Sequence, residues 1–205
     1  MHPGRPPSPF FLARQALTAL ALAGCFSAFA QTPAAQPPND YEPIAQMLRA
    51  GRTADALARA DQLLATRPRD PQLQFLRAQA LAGNGRTEDA IAAYLQLTRE
   101  YPELAEPHNN LAVLHAARND LESARAALEA ALRANPTYAT AHDNLGDILL
   151  RLAVQSWSRA RQHNPALAGV APKLAAARSL IETTPAPART RAPASAPAQA
   201  ASAPR

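Results

Sequence analysis

Apolar residues return at helical intervals through the middle of the chain. Leu111, Leu114, Leu121, Leu128 and Leu132 follow that spacing within residues 105–138. The polar pair Asn119-Asp120 interrupts the pattern midway, and Asn135-Pro136 ends it. Two amphipathic helices joined by a short polar turn are therefore expected. The same grammar occurs twice more upstream. Ala56, Ala90 and Ala124 are 34 residues apart; Gly51, Gly85 and Asn119 keep that step, as do Pro68, Pro102 and Pro136. Three landmarks holding one period through three copies define a tandem repeat, with copies at 37–70, 71–104 and 105–138.

The turns carry matching chemistry. Gly51 is expected to close the first helix as a left-handed cap. Asp40 is expected to cap the start of that helix, and Thr53 the start of the second, each through a side-chain oxygen. Glu88 and Asp89 place carboxylates in a first helical turn, where the helix dipole favours them. Asp70-Pro71 opens the next helix with proline at its first position. Ala56, Ala90 and Ala124 fall where paired helices approach closely, and a leucine there would force them apart.

After Tyr138 the pattern departs. Leu145-Gly146 matches Leu111-Ala112, but Ala153, Trp157, Ala160 and Pro165 match Ala124, Leu128, Ala131 and Pro136 only if five residues are deleted: 124 − 111 = 13, whereas 153 − 145 = 8. The deletion removes the turn. Because residues 151–157 contain no Gly, Pro or Asn, a continuous or kinked helix from about Thr140 to His163 is expected over a tight fourth hairpin. Residues 172–182 can form one further short helix covering the last apolar face.

These copies resemble the tetratricopeptide repeat (TPR). The resemblance rests on Leu111-Ala112, Ala124, Leu128, Ala131 and Pro136; on Ala78, Leu81, Gly85, Ala90, Tyr94 and Pro102; and on Met47, Gly51, Ala56, Ala60, Leu63 and Pro68. It covers residues 37–165. It implies an all-α fold, an α-solenoid of helical hairpins with three full repeats, a shortened fourth (139–167) and a C-terminal capping helix, together spanning residues 39–182. It also implies a protein-binding scaffold whose first helices line a concave groove, with no catalysis and no cofactor.

Charge and composition set the flanks apart. The net charge of +5 comes from the ends: Arg5 and Arg14 near the start, and Arg189, Arg191 and Arg205 in an acid-free tail. The remainder balances, 21 − 2 − 3 = 16 basic against 16 acidic residues, so no nucleic-acid partner is expected. Residues 1–30 have the form of a secretory signal: a positive start, an apolar run from Ala16 to Gly24 shorter than the roughly 20 residues that span a bilayer, and Ala28-Phe29-Ala30 as a cleavage pattern. Leu22-Ala23-Gly24-Cys25 is similar to a bacterial lipobox, which makes Cys25 the candidate lipidation residue and 1–24 the alternative signal. Both patterns stay open, and both lead to export into the bacterial envelope: the periplasm, with the outer membrane reached only through a lipid anchor. One cysteine leaves no internal disulfide. Residues 31–38 form a proline-rich linker, and 183–205, rich in Ala, Pro and Arg, are expected to be disordered.

No Gly-rich phosphate loop and no Cys/His metal spacing occurs. His108 and His142 lie one period apart on neighbouring helices; packing is expected of them rather than a metal. In the TPR reading the inner ladder runs Tyr41, Phe75, Asn109, Asp143, flanked by Ala45, Gln79, Val113, Asp147. The candidate groove is thus aromatic at one end and acidic at the other, suiting a peptide that is apolar, then basic. Asn110 and Asn144 are expected to hydrogen-bond between helices. A Lys/Asn/Arg clamp known from chaperone-binding relatives is not carried over, because Tyr41, Ala45, Leu76, Glu106 and Asn110 supply no cation. The expected function is a non-enzymatic scaffold of the cell envelope that recognises a peptide or protein segment. The alternatives are an assembly factor acting through its convex face or basic tail, and an outer-membrane lipoprotein adaptor.

Overall fold

The computed structural model describes residues 39–183. The signal segment with Cys25, the linker and the tail beyond Thr183 lie outside the described residues. Within them the chain forms α1 (Tyr41–Arg49), α2 (Thr53–Leu64), α3 (Pro71–Gly83), α4 (Thr87–Glu100), α5 (Ala105–Ala117), α6 (Leu121–Ala134), α7 (Ala139–His163) and α8 (Val170–Thr183), with no strand among the described residues. Each helix packs on the next, and α1 on α3 and α5 on α7 also touch, so consecutive hairpins stack as an α-solenoid.

The turn inside each repeat is one motif used three times. Gly51, Gly85 and Asn119 adopt φ of 73°, 74° and 60°. The next residue, Arg52, Arg86 or Asp120, donates its N–H back to the carbonyl of Met47, Leu81 or His115 at 2.9, 3.0 and 3.0 Å. This bond over six residues satisfies a carbonyl that the helix end leaves free. Asn119 is the one non-glycine with positive φ among the described residues; its short polar side chain tolerates the left-handed region better than most.

Two caps differ from expectation. Asp40 makes no cap hydrogen bond; its carboxylate faces Arg67 at 2.8 Å and Arg59 at 3.6 Å, and the adjacent Asn39 accepts from the Tyr41 N–H at 3.2 Å. Thr53 is itself the first helical residue of α2, because the left-handed turn already delivers the chain at helical pitch, and its hydroxyl donates to Asn84 Oδ1 at 2.5 Å across to the next repeat. Asp70 does cap α3, accepting from the N–H groups of Gln72 and Leu73 at 3.0 and 3.1 Å.

The joints between repeats carry a second recurring device. Gln74 Nε2 donates to the Pro68 carbonyl at 2.9 Å, and His142 Nε2 meets the Pro136 carbonyl at 2.9 Å. His108 bonds the Pro102 backbone in the same way. Each side chain sits six residues beyond its proline and pins the joint to the helix that follows.

Past Tyr138, α7 is one continuous 25-residue helix, as the missing turn residues predict. The deletion spared the joint. Asn164 repeats the chemistry of Asn135: its N–H bonds four residues back, to Ala160, at 2.9 Å, and the Leu167 N–H closes on the Asn164 carbonyl at 3.1 Å as Tyr138 does on Asn135 at 3.2 Å. So α8 stands where the first helix of a further repeat would start, buried through Val170, Leu174 and Ala177.

Two helical glycines make opposite predictions. A methyl group at Gly83 would come within 2.5 Å of Thr53 Cγ2 and 3.2 Å of its Cβ, so Gly83→Ala is expected to destabilise the fold by about 1–3 kcal/mol through overpacking. Nothing lies within 4 Å of the same position at Gly146, so Gly146→Ala is expected to stabilise by about 0.5–1 kcal/mol. Urea melts of the two variants check both signs.

Candidate functional site: the inner face of the first helices

The first ladder is only partly open. Tyr41 is half-buried; its hydroxyl donates to Asp70 Oδ2 at 2.9 Å, and its ring lies 5.9 Å from the Arg67 guanidinium carbon. Burial, then the bond to Asp70, pushes its phenol above the usual range. Phe75 is 4 % exposed and meets Tyr94 edge-on, ring centroids 6.0 Å apart. Asn109 is fully buried, and its Oδ1 accepts from Asn144 at 2.9 Å. Asp143 is exposed.

Phe75 and Asn109 therefore do not line a groove: they are interior. Phe75 belongs to the core cluster with Tyr94, Leu111 and Leu128, and its aromatic surface is spent against α4. Phe75→Ala would test the fold, since removing a buried phenylalanine costs about 3–5 kcal/mol. The flanking ladder stays more accessible. Gln79, Val113 and Asp147 are half-buried, while Ala45 is buried.

Polar groups on this face are incompletely matched. The Gln79 amide nitrogen and oxygen are both shielded and have no hydrogen-bond partner, as are Asn109 Nδ2 and Asn110 Oδ1. Asn110 Nδ2 does donate to the buried Tyr94 hydroxyl at 3.1 Å, and that burial raises the Tyr94 phenol strongly. Asn110 and Asn144 thus hold helices together, as expected. Burial and the charge of Asp143 raise the Asp147 carboxyl, partly opposed by Arg151. Arg151 is committed elsewhere, donating to Asn119 Oδ1 at 3.1 Å.

Gln74, His108 and His142 keep the 34-residue step and sit six residues past the joint prolines, so their shared latch role was visible in the spacing. No group of three or more His, Cys, Asp or Glu among the described residues is placed to hold a metal, and no helix among them is long and apolar enough to cross a membrane.

Comparison with known proteins agrees with this geometry. Tetratricopeptide repeat family models match residues 48–105 and 105–138. Residues 48–138 are therefore tetratricopeptide repeats. Repeats of this kind build protein-interaction scaffolds and are generally non-enzymatic. No curated protein matches the chain. Among solved structures, one described as Naa15/Naa10 bound to HypK-THB aligns at 19% identity and TM-score 0.52, over 69% of this chain. This chain spans 22% of that one. The crystal structure of MamA protein aligns at 18% identity and TM-score 0.48, over 69% of this chain and 82% of that one. The first likeness is one of fold alone.

The joint latches give a pH prediction. Burial lowers the His108 imidazole, and Arg133 adds to this, with the Pro102 carbonyl opposing. A histidine whose folded pKa lies below its unfolded value, about 6.5, leaves the fold most stable above that value and weakens it as pH falls toward the folded pKa. His108→Gln copies the neutral donor at Gln74 and cannot titrate. Urea midpoints are expected to drop less between neutral pH and pH 5 in that variant than in the parent chain; equal drops would remove His108 as a source.

Proposed function

We propose that this chain is an exported bacterial scaffold that receives a segment of another protein along the inner face of α3, α5 and α7. The guest carries at least one basic residue. The observation that supports this most directly is the state of Asp143 and Asp147: two carboxylates one helical turn apart, with no ion pair or hydrogen bond among the described residues, on the face where Gln79 also lacks partners. Val113, half-buried between them in the repeat order, supplies apolar contact. Phe75 takes no part, so the apolar end of the guest is less defined than the basic end. The reaction of the scaffold with its guest is binding alone.

Export rests on the sequence of residues 1–30. Two maturation products follow from it: a chain starting at a diacylated Cys25, anchored in the outer membrane, or one starting at Gln31, free in the periplasm. The intact mass of the protein isolated from the envelope distinguishes them, and a mass that retains Met1 would remove both.

For the guest, random peptides selected on the immobilised full chain are expected to be rich in Arg or Lys. Asp143→Asn with Asp147→Asn is expected to weaken their binding by about 1.5–3 kcal/mol, the scale of hydrogen bonds to charged groups, with unchanged far-UV ellipticity. Undiminished binding in this variant would move the contact to the convex face and overturn the inner-face reading.

A further inference from the structure

Positive charge and apolar exposure gather at one end of the described residues. From residue 148 to residue 181 the sequence contains Arg151, Arg159, Arg161, Lys173 and Arg178 and no Asp or Glu. Residues 39–147 hold 21 − 2 − 3 − 5 = 11 basic against 16 − 1 = 15 acidic residues, a net −4; residues 148–183 hold five basic residues against Glu182 alone, a net +4. Every ion pair among the described residues lies between Asp40 and Glu129. Arg151 is turned to the Ala116 carbonyl at 3.4 Å and to Asn119 Oδ1 at 3.1 Å. Arg159, Arg161 and Arg178 are exposed and paired with nothing among the described residues. The same stretch holds the exposed large apolar side chains of the described residues, Leu149 at 48 %, Leu167 at 47 % and Leu180 at 54 %.

Trp157 ties these groups together. Its half-buried indole belongs to α7, and Lys173 Nζ, from the first turn of α8, lies 5.9 Å from the ring centre. Arg161 follows one helical turn later on α7, and residues four apart are neighbours on a helix surface. Two cations therefore flank one tryptophan. Between them every position from 161 to 169 is exposed, Leu167 in the connection included. A single exposed leucine is ordinary. Cations without counter-charges, an aromatic ring and exposed leucines in one hairpin are what a helix lying on an anionic bilayer carries: charge for the headgroups, tryptophan at the level of the interface, apolar side chains beneath it. No side chain between 161 and 169 is buried, and nothing fixes the free guanidinium groups. Such an end offers charge and apolar reach without a moulded shape, which suits a fluid headgroup layer better than a folded acidic partner with fixed positions.

We infer that the α7–α8 hairpin docks on an anionic lipid surface, where Arg159, Arg161, Lys173 and Arg178 meet headgroup charge and Trp157 and Leu167 enter the interface. The contact is peripheral, since no helix among the described residues is long and apolar enough to cross a membrane. The same surface repels residues 39–147, with their net −4, so the chain approaches hairpin-first. This goes beyond guest binding and stands without it. Asp147 and Arg161 are 161 − 147 = 14 residues apart on one helix, about 21 Å along its axis. That exceeds the screening length of about 8 Å at physiological salt, so the acidic and basic parts of α7 act independently.

Trp157 is the single tryptophan of the chain, so its fluorescence reads this contact directly on the full chain. With vesicles of equal parts phosphatidylcholine and phosphatidylglycerol, its emission is expected to move to the blue and to be quenched by brominated acyl chains. Vesicles of phosphatidylcholine alone should do neither, and molar salt, where screening shortens to about 3 Å, should abolish both. Arg159→Gln with Arg161→Gln leaves Lys173 over the ring; its affinity for the anionic vesicles, measured by co-sedimentation, is expected to fall about thirtyfold, at about fivefold per cation. Lys173→Gln with Arg178→Gln, on the other helix, is expected to lose as much. Parent affinity in both variants overturns the docking. So does vesicle binding that leaves Trp157 unquenched, which would assign the contact to residues outside the hairpin. So does an equal blue shift with poly-glutamate in place of lipid, which would assign the hairpin to an acidic protein segment.

Discussion

Helices stack in this chain because three positions admit no more than a methyl group. Ala56, Ala90 and Ala124 are all completely buried, one in each second helix, and close approach of the paired helices there sets the geometry of each hairpin. Around that contact the larger side chains fill in, Leu73, Leu76 and Ile44 in one cluster and Tyr94, Leu111 and Leu128 in the other. A chain with so few aromatics can still build a core this way, since many short contacts at native packing density substitute for a few large ones. The left-handed turn then fixes which faces the two helices present. Contact and turn depend on each other, and both recur at the same period.

The joints between repeats work by a different principle. A proline follows the second helix of each of the three full repeats, and the latch residue six positions on bonds that proline's own carbonyl. Gln74, His108 and His142 do this with two different side-chain chemistries, which identifies the requirement as a donor at a given reach rather than a given residue. The five-residue deletion after Leu145 shows how separable the two devices are. It erased the turn within the repeat and fused two helices into α7, while Asn164-Pro165 still formed the joint that launches α8.

Much of the fold was legible because period, turn residues and apolar spacing are local properties. The continuous α7 could be anticipated from what was missing, a breaker between Arg151 and Trp157. The caps were less legible. Asp40 and Thr53 have side chains suited to capping, but arginine and asparagine partners from 27 and 31 residues away claimed them. Phe75 and Asn109, two positions of the inner ladder, are interior for a related reason. Position in the repeat says which way a side chain leaves its helix; it does not say whether the neighbour reaches across to cover it. Tyr94 covers Phe75 and Asn144 covers Asn109, both through contacts that no spacing within a single helix displays. Asp143 stays exposed and Asp147 half-buried, at a point where the chain continues along α7 instead of turning back into a second helix.

The fusion that produced α7 also changes what the end of the molecule can transmit. A helix of 25 residues is a rod about 37 Å long. It packs on α5, α6 and α8. In a hairpin, a small tilt near Asp143 would be absorbed at the turn. Here there is no turn to absorb it, and a tilt of about five degrees would sweep the far end through about 3 Å over that length. The last repeat has exchanged a hinge for a lever, with the inner face at its short arm and the root of the C-terminal helix at its long one.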